Sequence, residues 1–161
     1  AEGVKEMNVQ DRTTIKDRLG WQLTAGLYDR VRSLWKDHAM AEDRRDLDGL
    51  VATLTPDCVY EIFPTRQRWV GHDGARAFYT AFLGAFPDVK FELVDIAIGP
   101  QGVIEIVDMT GTHRGEWAGI APTGEPVSLR IVIHFPWDPD AERFAGENVY
   151  FDTAALRGAG A

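Results

Sequence analysis

Apolar residues recur along this chain first at helical spacing and then at strand spacing. Ile15, Leu19, Leu23, Leu27, Val31, Leu34 and Trp35 lie three or four apart. That spacing gathers them on one helix face and predicts a long helix over 13–39. Gly20 and Gly26 weaken its first half, each by about 1 kcal/mol relative to alanine. A break is therefore expected near Gly26. Leu47, Leu50, Val51 and Leu54 predict a short second helix over 46–54, ended by Thr55-Pro56-Asp57. Val59, Tyr60, Ile62 and Phe63 read as a strand closed by Pro64. Ala75, Phe78, Tyr79, Phe82, Ala85 and Phe86 predict a third helix over 72–86.

Beyond Pro87 the period changes to two. Strands are expected over 90–98, 103–113, 127–135 and 143–151. Gly99-Pro100-Gln101-Gly102 forms a turn, 115–126 is a Gly- and Pro-rich loop, and 136–142 is a second turn. Helices segregated from a run of strands imply an α+β fold, with one antiparallel sheet covered by three helices. A sheet that curves around its helices makes a cone with a pocket at the open end. No repeat, low-complexity tract or linker divides the chain.

Composition narrows the function classes. The 161 residues suffice for one domain with a sizeable core. The formal charge of −8 argues against a general footprint for nucleic acid or an anionic membrane. The longest stretch free of charged residues, Ala77 to Pro87, has 11 residues, too few to span a bilayer. The first residues hold no apolar run, so no signal peptide is expected. Cys58 stands alone, and a reduced, cytoplasmic location is the expectation.

No nucleotide-binding glycine loop, zinc-protease helix, paired-cysteine motif or serine-hydrolase elbow occurs. The candidate chemistry lies elsewhere. His38 reads as a helix-end histidine favoured by the dipole, and His72 as structural or exposed. His113 sits where a strand leaves for a loop, a place where side chains often face a pocket mouth. On the strand 127–135, Leu129, Ile131, Ile133 and Phe135 share the face expected to meet helices or pocket. Arg130, Val132 and His134 share the other. Glu61, Glu105, Asp108 and Glu147 are strand carboxylates, each read as a solvated outer-face charge or as a pocket acid. Tyr60, Phe63, Phe78 and Phe82 belong to the sheet–helix interface. Trp69 and Trp117, read as lying in connections, suit a pocket cap or a subunit contact.

Four segments resemble the SnoaL-like polyketide cyclase family, within the nuclear transport factor 2-like class. They are TGTHRGEWAGIAPTGEPV (110–127), GENVYFD (146–152), AEDRRDLDGLVATLTPDCVYEI (41–62) and GHDGARAFYTAFLGAFPDVKFEL (71–93). The resemblance covers about residues 28–156. It leaves 1–27 as a helical extension and 157–161 as a frayed tail. It implies a curved antiparallel sheet closed by three helices into a cone, and homodimers that pack through the outer sheet face. It also implies acid/base chemistry on a polyketide ester with no metal or organic cofactor. The family's histidine falls on His113, while the place of its catalytic aspartate reads Ile133, which cannot transfer a proton. A shift of one residue would put His134 there.

The expectation is a pocket protein for a small apolar molecule, working by cyclisation, isomerisation or hydration. His113, Glu147 and His134 are its catalytic candidates. Tyr60, Phe63, Trp69, Phe78, Phe82, Trp117, Ile131 and Ile133 are the expected lining. A non-catalytic binder of a hydrophobic metabolite and a homodimeric interaction domain are the alternatives.

Overall fold

The computed structural model describes residues 7–157; the tail segment 158–161 and residues 1–6 lie outside the described residues. The elements are α1 (Val9–Arg12), α2 (Ile15–Leu19), α3 (Ala25–Asp43), α4 (Leu47–Ala52), β1 (Leu54–Ile62), β2 (Gln67–Val70), α5 (Gly71–Ala85), β3 (Lys90–Gly99), β4 (Gly102–Thr112), β5 (Pro126–Asp138) and β6 (Arg143–Tyr150), followed by a 3-10 turn, Thr153–Leu156.

The expected 13–39 helix is two helices, α2 and α3, and the break falls at 20–24, before Gly26. Gly20 ends α2, and the chain re-enters a helix only at Thr24, whose hydroxyl accepts from the Leu27 amide. That capping bond satisfies a donor the first turn would otherwise leave unpaired. At its other end α3 continues four residues past the expected stop, to Asp43.

The six strands form one sheet in the order β2-β1-β6-β5-β4-β3. Four of the five pairings are antiparallel, and β1 with β6 is parallel. The fold is the expected α+β cone, with that one parallel pair as a difference. The second helix ends at Ala52, before Thr55-Pro56-Asp57, and those three residues belong to β1, where the register shifts between Leu54 and Val59. Such an irregularity tolerates the missing proline donor. Trp69 lies on β2 and not in a connection, and β5 runs on to Asp138, which shortens the expected 136–142 turn to 139–142.

Alternation along β4 and β5 turns Val103, Val107, Met109, Leu129, Ile131 and Phe135 inward, where they are buried under the helices. On the opposite face Arg130 makes a two-pronged pair with Asp108, with both contacts at 2.8 Å. The N-terminal arm is fastened to the sheet. Asn8 donates to the Ala145 carbonyl at 3.0 Å, and Arg12 pairs with Asp138 at 2.6 Å and Asp140 at 2.7 Å. Among the described residues no helix is long and apolar enough to cross a membrane.

Candidate functional site

Val31, Trp35, His38 and Glu42 follow one another at helical spacing on α3, so they share a face. Because α3 runs on to Asp43, His38 is not a helix-end residue but a buried one. Its Nδ1 lies 2.7 Å from the Thr53 hydroxyl, which itself donates to the Leu50 carbonyl at 2.7 Å. A hydroxyl has one proton to give, so here it accepts from Nδ1–H. Nε2 is then the bare nitrogen. Burial lowers the His38 pKa and keeps the ring neutral.

Around Nε2 stand the Tyr79 hydroxyl and Glu147 Oε1, each at 3.0 Å. Tyr79 donates to Glu147 Oε1 at 2.9 Å, and Tyr60 lies 3.1 Å from the Tyr79 oxygen. With the Tyr79 proton directed at Glu147, the donor to Nε2 is the carboxyl proton of Glu147 itself. Burial raises the Glu147 pKa, which favours that protonated form. Burial likewise raises Glu42, and the nearby Glu147 raises it further.

The backbone of β6 aims Glu147 inward. Gly146 has φ +126°, and a Cβ there would collide with the Val59 carbonyl. Only glycine permits this approach of β6 to β1, which sets Glu147 opposite Tyr60 in the parallel register.

The network opens onto a cavity of about 210 Å³ lined by Trp35, His38, Glu42, Phe91, Glu105 and Phe135, among others. Asp43 and the exposed Leu93 also line it and mark its solvent side. A smaller void of about 30 Å³ adjoins, sharing Glu42 and Phe91 and reaching Glu147, Phe82 and Trp117. Glu105, inward on β4, accepts from the Trp35 indole at 2.7 Å. Burial pushes its carboxyl up to about 7, against the lowering effect of that bond. The pair of voids thus holds carboxyl groups poised to give or take a proton near neutral pH.

The expected site residues fall into separate places. Glu147, Phe78, Phe82, Trp117, Ile131 and Ile133 line the smaller void. Tyr60 stands behind it, one hydrogen bond from Tyr79. Trp69 packs on Phe78 and Trp117 without lining either void, and Phe63 stacks on Tyr150 where β1 and β6 end. His113 lines neither void. It is fully buried, stacked on Phe86, and neither ring nitrogen has a hydrogen-bond partner. His134 lies on the other face of β5, where its Nδ1 is 3.3 Å from the Asn148 amide. Strand alternation separates it from Ile133, so the inward seat belongs to isoleucine. His38, Glu42, Tyr79, Thr53 and Trp35 were absent from the expected site. The spacing of four between His38 and Glu42 was the readable signal.

One donor atom from each of His38, Glu42 and Glu147 lies within 4.8 Å of the other two, a spread that could suit a divalent ion. Both His38 nitrogens already have hydrogen-bond partners, however, so the geometry is complete as a proton network.

The profile of the SnoaL-like domain matches residues 34–141. The chain belongs to the SnoaL-like domain family. The match contains α4, α5 and most of the sheet, and it includes His38, Glu42 and Glu105 but ends before Glu147. A candidate SnoaL-like polyketide cyclase from Jannaschia sp. CCS1 is similar over 86% of this chain and 99% of its own, with a TM-score of 0.71 and 17% identity. AclR, a candidate hydroxylase from Streptomyces galilaeus, is 24% identical over 80% of this chain and 79% of its own, with a TM-score of 0.63. An LEH-like epoxide hydrolase from M. tuberculosis is 16% identical over 81% and 88%, with a TM-score of 0.62. At these identities the likeness is one of fold. No curated protein matches the chain.

Proposed function

We propose that this protein is a small-molecule enzyme in which Glu147 serves as general acid and base on a mainly apolar substrate, with Glu42 as the second carboxyl. The observation that carries this reading is the buried Glu147 carboxyl, held by Tyr79 and His38 beside an apolar void. Two neighbouring carboxyls that do not ionise together supply one protonated and one charged group at the same pH. Ring closure, isomerisation and epoxide opening each need such a pair and a dry cavity. The bare Nε2 of the neutral, tautomer-fixed His38 accepts from the Glu147 carboxyl and so fixes where its proton rests between transfers.

The test is a turnover screen against cyclisable polycarbonyl esters, enolisable ketones and epoxides, with E147Q as the control. General acid/base groups contribute roughly 10²–10⁴-fold, so E147Q is expected to lower turnover at least about 100-fold. Equal rates in both proteins would overturn the assignment. Ile133, an inward side chain that cannot move a proton, favours a second reading, a non-catalytic binder. Binding without turnover across all three classes would support it.

A further inference from the structure

The carboxyl groups of this site have no basic partner. Glu42, Asp43 and Glu105 line the larger void and Glu147 the smaller, and no Lys or Arg lines either. Among the described residues, none of these four makes an ion pair with Lys or Arg, and His38, the hydrogen-bond partner of Glu147 that could become positive, is held neutral. Elsewhere the chain pairs its acids readily, as at Asp108 with Arg130 and Asp138 with Arg12. Glu42, Glu105 and Glu147 are sheltered, and sheltered carboxyls without a counter-ion are costly to ionise and are usually paired. The remaining walls are apolar or aromatic: Trp35, Phe91, Val107 and Phe135.

We propose that the molecule accepted by this cavity is a small organic amine, its ammonium group set among Glu42, Asp43 and Glu105 and its apolar body against the aromatic walls. This deepens the acid/base reading and rests on it through Glu42, which lines both voids. An ammonium ion supplies the missing positive charge, and aromatic faces favour a cation over a neutral group. The void of about 210 Å³ lies below the range of roughly 300–1,000 Å³ typical of drug-sized ligands, so the occupant is compact. A bare metal ion would use the acids but leave the apolar walls without a role. An anionic substrate would find no Lys or Arg to receive it and would face Glu42, Asp43 and Glu105 instead. The raised pKa of Glu105 supports the assignment, because an entering cation lowers it and lets the carboxylate form.

Titration calorimetry on the whole protein at pH 7.5 tests this with three matched probes: 2-phenylethylammonium, 2-phenylethanol and 3-phenylpropionate. The amine is expected to bind at least about tenfold more tightly than the alcohol, a difference of about 1.4 kcal/mol, and the carboxylate more weakly than either. E105Q is expected to weaken the amine at least about fivefold and leave the alcohol unchanged. D43N, at the exposed rim where folding is not at stake, should weaken the amine in the same direction. Equal binding of amine and alcohol, or preference for the carboxylate, overturns the proposal. So does tight binding of Mn²⁺ without amine binding, which would assign the acids to a metal. Amine binding without turnover would leave this inference standing while the acid/base reading fails. Turnover with no amine preference would do the reverse.

Discussion

The Thr53 hydroxyl stands 2.7 Å from His38 Nδ1 while giving its own proton to Leu50, and that relationship decides which His38 nitrogen is bare. Everything on the other side of the ring follows from it. Nε2 can only accept, so Glu147 is the group that donates.

Replacing Thr53 with valine removes the acceptor at Nδ1 without changing the side-chain shape much. The ¹⁵N shifts of His38 should move from a single Nδ1–H tautomer toward a mixture. Losing a buried hydrogen bond should cost about 1–3 kcal/mol of stability by urea titration. An unchanged tautomer would remove Thr53 from the network.

Glu105 makes stability depend on pH in a definite direction. Its folded-state pKa of about 7 exceeds the ordinary glutamate value of 4.5. Between those values the folded chain keeps a proton that the unfolded chain has released, so stability falls as pH rises through that window. The loss attributable to this group is at most about 3 kcal/mol, at about 1.4 kcal/mol per unit. Denaturation midpoints from pH 4.5 to 7.5 should show a shallower decline in E105Q than in the parent. Glu147 and Glu42, also raised, act in the same direction, while the lowered His38 and His134 act against it.

Gly146→Ala should be severe. A methyl group there meets the Val59 carbonyl while the backbone holds φ +126°. Strain and overpacking together should cost at least about 3 kcal/mol. A stability loss under about 1 kcal/mol would mean that β6 can shift away from β1 freely.

His113→Leu is expected to leave ligand binding unchanged, since His113 lines neither void. Its unpartnered nitrogens are a burden that an apolar side chain removes, so stability should hold within about 1 kcal/mol or rise. A large loss of binding would return His113 to the site.

The hydrophobic periods of this chain were enough to determine the order and type of its longer elements, the α+β class and the inward face of β5, while α1, β2 and the 3-10 turn, four residues each, are too short to show a period. Those are local properties, carried by residues three, four or two apart. Family resemblance added the cone. The sequence also offered Glu147 and Glu105 as possible pocket acids, and alternation then set Glu105 inward and Asp108 outward. Tertiary structure alone decided that His38, 109 positions from Glu147, is its partner, and that His113 is not. The parallel β1–β6 pairing and the positive φ of Gly146 create that meeting. Neither leaves a periodic trace in the sequence, because each depends on how two distant strands approach one another.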